Sequence, residues 1–558
     1  LNQILESNAD EGWARVQSGV VKDQLNHALK PFGLFFAPEL STSNRATIGG
    51  MINTDASGQG SVLYGKTRDH VLELDTVLLS GDRHHSQPID ADTLKRLSAG
   101  TDRIGQIHAT VDDVYQRRQA DIIAKFPKLN RCMTGYDLAH IYDQGQFNLN
   151  NIICGSEGTL GFVVEAKLNL VKIPKLAALV NVFYGSFEAS LRDAQTLLSA
   201  QPSSIETIDS TVLGLAREDI IWHSVSQFFD AQGQFIGGIN LVEFTADSEA
   251  ELERNISNLT ERLQEQTGQT GKNIGYAIAR GHQQVQLLWS MRKKAVGLLG
   301  NAKGEARPVP FVEDTAVPPE NLADFIMEFR AVLDKHKLRY GMFGHVDAGV
   351  LHVRPALDLK DEAQFKLVRQ ITDQVVALVS KYNGLLWGEH GKGVRSEFSP
   401  TFFGDLYPEL QQIKRAFDPF NQLNPGKIAT HQDKIPLLRI DEVGTRGELD
   451  RTIAVKSWTQ FGSGMYCNGN GACFNWDPND AMCPSFKVTQ DRRQSPKGRA
   501  SLIREWLRLL SEKNVDTTAL SERQKRRVPL LHFIPRAWNS LKQRQDQYDF
   551  SHEVAEII

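Results

Sequence analysis

The sequence is poor in cysteine and has no long apolar run. Its 558 residues include 5 cysteines, and so sparse and odd a set excludes a disulfide framework. No apolar segment approaches the ~20 residues that a membrane-spanning helix needs, so integral membrane insertion is not expected. The opening LNQILESNADEGWARV lacks the charged start and apolar core of a secretory signal. These absences favour a cytoplasmic location, with peripheral association at the inner membrane as an alternative.

The chain also lacks a strong charge of either sign. Its 63 Lys and Arg residues nearly balance 67 Asp and Glu residues, for a net charge of −4, so nothing electrostatic favours a nucleic-acid partner. Hydrophobic residues at 41% and charged residues at 23% are ordinary globular usage and exclude a disordered, collagen-like or coiled-coil chain. At roughly 150 residues per domain the length predicts about three to four domains. The composition is also compatible with a homo-oligomer.

Three regions differ in pattern. Residues 1–172 combine glycine loops with short strand-like runs such as VLELDTVLLS at Val71–Ser80. Residues 173–430 alternate strand-like and helix-like segments, which predicts an α+β domain with an antiparallel sheet and helices on one face. Residues 431–558 predict a linker followed by a cysteine-bearing, mainly helical region that includes an amphipathic helix at Leu502–Ser511.

Small and hydroxyl residues are concentrated in Pro38–Gly60, PELSTSNRATIGGMINTDASGQG. Glycines let backbone N–H groups approach a diphosphate, and hydroxyls add donors. No GxGxxG lies between a strand and a helix, which disfavours a nicotinamide site. One such run is equally typical of ordinary turns. A second glycine loop, GSEGTLG at Gly155–Gly161, precedes a strand, and two loops in one region favour a diphosphate cradle.

These motifs resemble, in order, the FAD-binding domain of the vanillyl-alcohol-oxidase-type flavoproteins. The matching pieces are ATIGGMINTDASG, the following Tyr64-Gly65, TGYDL at Thr134–Leu138, GSEGTLG and FDPFNQLNPGKI at Phe417–Ile428. The resemblance implies FAD as cofactor. It implies contacts from Ser41, Thr42, Thr47, Ile48, Gly49, Gly50, Asn53, Ser57, Gly58, Tyr64, Gly65, Gly135, Gly155, Ser156, Gly158, Thr159, Gly161 and Asn424.

The family's FAD domain normally begins with an earlier half that carries a PxGGGT loop. No such loop occurs in this sequence, and the first residue is Leu1 rather than Met. We therefore expect the sequence to be a fragment in which the N-terminal half of the FAD domain is missing.

A histidine-rich stretch, GMFGHVDAGVLHVRP, begins at Gly341. His345 and His352 flank a turn signal, so a hairpin would direct both imidazoles to one point. Glu389 and His390 lie between glycines in WGEHGKG. Two histidines and a glutamate suit a catalytic divalent metal, although ordinary hydrogen-bonded histidines would give the same residues.

The two stretches resemble the GHxGDGNLH and GEHG motifs of the D-2-hydroxyacid dehydrogenase branch of this family. The resemblance implies that His345, His352 and Glu389 bind a divalent metal, Zn²⁺ or Mn²⁺, and that His390 is the general base. The family's GDGN is replaced here by Asp347-Ala348-Gly349-Val350, which leaves the surroundings of the metal open.

The substrate of that branch carries a carboxylate. LWSMRKKAVG resembles the element that holds its substrate-binding arginine, here Arg292, and a guanidinium can bind a carboxylate through two parallel hydrogen bonds. The basic residue expected shortly before Asp314 is replaced by Val312. That departure leaves the choice of acid open.

Three of the five cysteines, Cys467, Cys473 and Cys483, lie within YCNGNGACFNWDPNDAMCP. With Pro484 after the last, they resemble half of a ferredoxin-type motif, though buried free thiols are an alternative. The following SPKGRASLIREWL resembles iron–sulfur subunits fused to flavoprotein dehydrogenases. We therefore expect a [4Fe–4S] cluster in the intact protein, with its fourth ligand outside this sequence or of another type.

The whole pattern predicts an FAD-dependent dehydrogenase that oxidises a small D-2-hydroxy acid to the 2-oxo acid. Electrons would leave through the iron–sulfur cluster to a quinone or an electron carrier. D-2-hydroxyglutarate is the first choice of substrate, from the resemblance alone. D-lactate or glycolate is the alternative substrate, and an inactive fragment that serves only as a folded scaffold is the alternative of another class.

Overall fold

A computed structural model describes residues 1–300, 304–432, 434–519 and 554. It divides into two compact units. The first comprises the described residues up to Val443 apart from two short pieces near residues 304–306 and 357–366. These two pieces belong with the second unit, which otherwise begins at Gly444. The later part of the predicted iron–sulfur region, residues 520–553 and 555–558, lies outside the described residues.

The strands are short, and most belong to two sheets. In chain order they are β1 Ile4–Asn8, β2 Trp13–Gln17, β3 Leu34–Phe35, β4 Val71–Val77, β5 Arg83–Ser86, β6 Tyr142–Asp143, β7 Gln146–Phe147, β8 Phe162–Asn169, β9 Val171–Lys172, β10 Leu176–Tyr184, β11 Ser204–Asp209, β12 Gly238–Ala246, β13 Asn273–Arg280, β14 Arg307–Pro308, β15 Thr315–Ala316, β16 Tyr340–His345 and β17 Val350–Leu357.

The α-helices vary from one turn to more than six. They are α1 Lys22–Leu29, α2 Ile48–Asn53, α3 Ser61–Tyr64, α4 Ala91–Ser98, α5 Arg103–Lys125, α6 Asn150–Ile153, α7 Phe187–Leu198, α8 Ser210–Arg217, α9 Trp222–Val225, α10 Glu249–Gln266, α11 Gly281–Gly300, α12 Leu322–Lys335, α13 Glu362–Lys381, α14 Ser399–Phe403, α15 Tyr407–Phe417, α16 Arg446–Asp450, α17 Val455–Met465, α18 Pro484–Thr489 and α19 Pro496–Glu512.

The first sheet has the order β1-β2-β8-β4-β5, and its neighbouring strands are antiparallel. Its apolar core also includes side chains from α14 and α15, among them Leu410, Ile413 and Phe417. The segment that begins at Ser399 therefore returns to the glycine-rich region, as the resemblance implied for the stretch that starts at Phe417.

The second sheet has eight strands in the order β13-β10-β12-β11-β16-β17-β14, with β15 paired to β17. The pairs from β13 to β17 along this order are antiparallel, which confirms the expected antiparallel sheet. β16 and β17 form the predicted hairpin, with Phe343 opposite His352 and His345 opposite Val350. Gly349 turns this hairpin at φ +69°, where a Cβ would lie 1.9 Å from the carbonyl oxygen of Val317.

The second unit is built mainly from short helices, as the sequence predicted for the described part of this region. Ile453, Met465 and Leu507 form its small apolar cluster. Arg504 binds Asp450 at 2.7 Å. Across the described ranges of both units, every helix is too short or too polar to cross a bilayer.

A buried ion pair joins α15 to the second glycine loop. Lys414 is fully buried, and its Nζ donates to the carbonyl of Thr159 at 2.7 Å and to Asp418 Oδ2 at 2.7 Å. Its third bond goes to the carbonyl of Leu423 at 2.8 Å. The ammonium thus fixes the returning segment to the loop before β8.

We expect Lys414→Met to lower the free energy of unfolding by about 3–5 kcal/mol, because Asp418 would remain buried without its cation. Lys381→Met is the matched control, since Lys381 is 57% exposed where it pairs with Glu328, and exposed pairs contribute about 0–1 kcal/mol. Denaturant titration of both variants measures the difference. Equal small losses would contradict a stabilising role for the Lys414 pair.

Candidate functional site

The two glycine loops predicted to bind a diphosphate lie side by side. Asn53, at the end of α2, donates to the carbonyl of Gly49 at 2.8 Å and accepts from the Gly158 N–H at 3.0 Å. The N–H groups of Gly155 and Glu157 donate to the carbonyls of Ile52 and Asn53 at 2.9 and 2.8 Å. Backbone and side chain together therefore hold the loops in one arrangement.

Many of the residues predicted to contact the flavin line one of two cavities. One cavity of about 650 Å³ is lined by Thr47, Gly49, Gly50, Asn53, Gly158 and Gly161. A second cavity of about 300 Å³ is lined by Ser41, Thr42, Ser57 and Gly58. Within the described residues the buried hydroxyls of Ser57 and Ser156 have no hydrogen-bond partner. Of these two, Ser57 lines the second cavity. Small walls rich in backbone and hydroxyl donors fit a diphosphate-bearing cofactor such as FAD.

The remaining predicted flavin residues are not gathered at those two walls. Ile48 belongs to the apolar core, and Tyr64 lines a different cavity. Gly65, Gly135 and Gly155 take positive φ values, as turns require. Thr159 bonds Tyr136 at 2.8 Å, and Asn424 donates to the carbonyl of Glu157 at 2.7 Å. These last two contacts support the second loop.

The predicted metal residues do come together, on one face of the second sheet and the loop after α13. The Nε2 atoms of His345, His352 and His390 lie 3.4, 3.0 and 3.4 Å from Glu389 Oε1. Ligand atoms around a tetrahedral ion with bonds of about 2.0–2.1 Å are separated by roughly 3.3 Å. The donor types suit a divalent metal such as Zn²⁺ or Mn²⁺. Among the described residues, the ligand atoms that all lie within 4.8 Å of one another belong to Asp314, His352, Glu389 and His390, so His345 stays a predicted ligand at the edge of this group.

Neighbouring carboxylates orient this group. Glu206 lies opposite His345 across β11 and β16, and its Oε1 contacts His345 Nδ1, leaving Nε2 to face Glu389. Asp314 accepts the N–H groups of Glu389 and His390 at 2.8 and 2.9 Å. A ligand atom of Asp314 lies within 4.8 Å of those of His352, Glu389 and His390, but its two backbone bonds indicate that it shapes the loop.

Arg131 connects the metal group to the first glycine-rich segment. Its fully buried guanidinium binds Glu389 Oε2 at 2.6 Å. It also donates to Ser61 Oγ at 2.8 Å and to the carbonyl of Gly58. One carboxylate oxygen of Glu389 therefore pairs with a guanidinium, and the other faces three imidazoles.

Protonation differs among the three histidines. Burial lowers the pKa of His352 to about 4, which keeps this imidazole neutral and able to bind a metal at neutral pH. Burial opposes a charge on His390, but Asp314, Glu313 and Glu389 outweigh it and raise its pKa in the metal-free site. The His390 side chain is 42% exposed, whereas those of His345 and His352 are 7% and 6% exposed. His390 is thus the imidazole that a substrate can reach.

Arg292 lines the same cavity as the histidines. Its Nε and Nη2 donate to Glu206 Oε2 at 2.9 and 2.7 Å, and its guanidinium lies 4.5 Å from the Phe343 ring centre. Within the described residues its Nη1 makes no hydrogen bond. The structure therefore holds Arg292 beside the metal group with donors left for an anion.

Sequence reasoning missed Glu206, Arg131, Glu313 and Arg354. Glu206 and Arg354 share a sheet face with the two metal histidines, so strand alternation alone gave a signal for them. Arg131 and Glu313 approach from outside those strands. Their contacts depend on chain folding at long range.

The predicted cluster cysteines lie in the second unit. The Cys467 and Cys473 sulfurs accept the N–H groups of Gly469 at 3.3 Å and Lys497 at 3.4 Å. Cys483 Sγ donates to the carbonyl of Gln494 at 3.4 Å. As the described chain stands, the three sulfurs are not all within 4.8 Å of one another, so they do not form the tight set that a single ion needs. The cluster stays a prediction.

Comparison with known proteins places the fold. Residues 1–87 match the family model "FAD binding domain", and residues 173–428 match "FAD linked oxidases, C-terminal domain". Among solved structures, 4-ethylphenol oxidase from Gulosibacter chungangensis aligns with 78% of this chain and 79% of its own, at a TM-score of 0.54 and 13% identity. The fold is thus of the vanillyl-alcohol-oxidase type.

Among curated proteins, the chain is 58% identical to a D-2-hydroxyglutarate dehydrogenase of Pseudomonas putida. It is 54% identical to one of Escherichia coli. Each match covers 100% of this chain and 55% of the relative. The chain therefore spans about half the length of these curated relatives.

We expect His352→Leu to lose a bound divalent metal while flavin content is unchanged, because the substitution removes one ligand from a buried set. His282→Leu is the control, since His282 is exposed and bonds the carbonyl of Lys175. Elemental analysis of both purified variants measures the metal. Equal metal content in wild type and His352→Leu would contradict the assignment.

Proposed function

We propose that the chain belongs to the FAD-linked oxidase family, whose two models match residues 1–87 and 173–428, and that it has the following function. It is part of an FAD-dependent dehydrogenase that oxidises a D-2-hydroxy acid, D-2-hydroxyglutarate first, to the 2-oxo acid. The observation that carries the proposal is the convergence of three imidazoles on Glu389 beside a cavity that also contains Arg292. The two curated D-2-hydroxyglutarate dehydrogenases support the choice of acid.

When bound, FAD would accept a hydride, and a divalent ion held by His345, His352 and Glu389 would lower the pKa of a substrate hydroxyl. His390 takes the hydroxyl proton on its exposed ring. Glu313 Oε1, 3.4 Å from His390 Nδ1, orients that ring. Arg292 binds the substrate carboxylate and fixes the pose.

The charges around the His390 imidazole decide whether it is protonated. Asp314, Glu313 and Glu389 raise the pKa of His390, which favours the imidazolium. A divalent cation bound to Glu389 opposes that effect because like charges disfavour the charged form. With a cation held there, His390 would be neutral more of the time, and the neutral imidazole is the form that can accept a proton.

We further propose that electrons leave one at a time through a [4Fe–4S] cluster that includes Cys467, Cys473 and Cys483. The support is the cysteine pattern followed by Pro484. The final acceptor is a quinone or an electron carrier.

We expect dye reduction with D-2-hydroxyglutarate and little or none with its L-isomer. With the carboxylate at Arg292 and the hydroxyl at His390, only one isomer would direct its C2 hydride towards the flavin. A panel of D- and L-2-hydroxy acids tested with the purified flavoprotein measures this. Turnover of L-isomers alone, or of no 2-hydroxy acid, would refute the proposed function.

We expect His390→Gln to lower kcat by about 10²–10⁴-fold, the usual contribution of a general base. Flavin and metal contents should be unchanged, because His352 and Glu389 remain. Stopped-flow reduction of the flavin isolates this step from later electron transfer. Loss of flavin together with activity would instead assign His390 a structural role.

A further inference from the structure

The cavity beside the metal group is lined by several charged side chains of both signs, including the carboxylates Glu39, Glu206 and Glu389. Besides Arg292, its wall includes Lys293 and Arg354. Val312, where the resemblance led us to expect a basic residue, is fully buried and apolar. A second cation for a dicarboxylic substrate must therefore come from elsewhere in the wall.

Arg354 lies two residues after His352 on β17. Alternate residues of a strand point to the same face and lie about 7 Å apart along it. This separation is comparable with the length of a short dicarboxylate chain. A substrate whose hydroxyl end lies at His352 and His390 can thus extend along the strand to Arg354.

The guanidinium of Arg354 is held in place, and one of its nitrogens remains able to donate to a substrate. Its Nε and Nη2 bind Glu313 at 2.6 and 3.0 Å, a bidentate pair that fixes its plane. Its Nη1 forms no hydrogen bond to any described residue. Because Glu313 also contacts His390, Arg354 is fixed relative to the base.

Lys293 is the weaker candidate for the same role. It pairs with Glu39 at 2.8 Å, and its side chain is 41% exposed, against 17% for Arg354. Glu39 also binds Lys22 at 2.6 Å. An exposed ammonium that is already paired with a carboxylate binds a substrate carboxylate less well than a fixed guanidinium does.

We propose that Arg354 binds the distal carboxylate of a 2-hydroxy dicarboxylate and so selects dicarboxylic over monocarboxylic acids. The inference rests on the proposed function and deepens it. Arg292 then binds the carboxylate next to the hydroxyl, and Arg354 sets the preferred substrate length.

The test compares D-2-hydroxyglutarate with D-2-hydroxyvalerate, which has the same carbon chain and no distal carboxylate. For Arg354→Gln we expect kcat/KM with D-2-hydroxyglutarate to fall about 10–100-fold, mainly through KM, since one charge-assisted interaction is lost. With D-2-hydroxyvalerate the change should be under about 3-fold. Titration with 2-oxoglutarate, followed by flavin absorbance, should show the same loss of affinity without turnover.

Two further variants separate this role from a structural one. Arg354→Gln combined with Glu313→Gln removes both charges of the pair and should still lose the preference for the dicarboxylate. Lys293→Gln, the neighbouring cation, should retain it. Loss of selectivity in Lys293→Gln, or an equal decrease with both acids in both Arg354 variants, would overturn the proposal. A wild-type protein that oxidises neither acid would instead refute the proposed function itself.

Discussion

The position of the Glu389 carboxylate is the constraint on which the candidate site depends. One oxygen faces three imidazole nitrogens, and the other binds the buried guanidinium of Arg131. A carboxylate so enclosed is costly to desolvate unless each side is compensated. Burial opposes ionisation, but His345 and Arg131 outweigh it and hold the pKa of Glu389 well below its ordinary value. Glu389 is therefore ionised at neutral pH and can bind a metal there.

Sequence motifs predicted the parts of this arrangement that local chain geometry controls. The hairpin that carries His345 and His352 follows from the turn at Gly349, and β16 and β17 pair there as expected. The second glycine loop follows from positions with positive φ, such as Gly155 and Gly158, where glycine is the favoured residue. The antiparallel sheet likewise follows from alternating strand and helix patterns.

The sequence could not predict the partners that compensate the site. Arg131 lies 258 residues before Glu389, and Glu313 meets Arg354 from outside the hairpin. Such pairs depend on tertiary folding and leave no local periodicity. Several predicted flavin residues, such as Ile48 and Thr159, are buried, and their contact with a flavin stays a prediction. In the second unit, the spacing of the cysteines along the chain does not determine how close their sulfurs lie in space.

Arg131 has a thermodynamic consequence. It donates to the Gly58 carbonyl and to Ser61 and forms an ion pair with Glu389, so a single side chain binds both regions. Replacing Arg131 would leave the buried Glu389 carboxylate without its cation and the Gly58 carbonyl without this donor, so one substitution would destabilise both regions together.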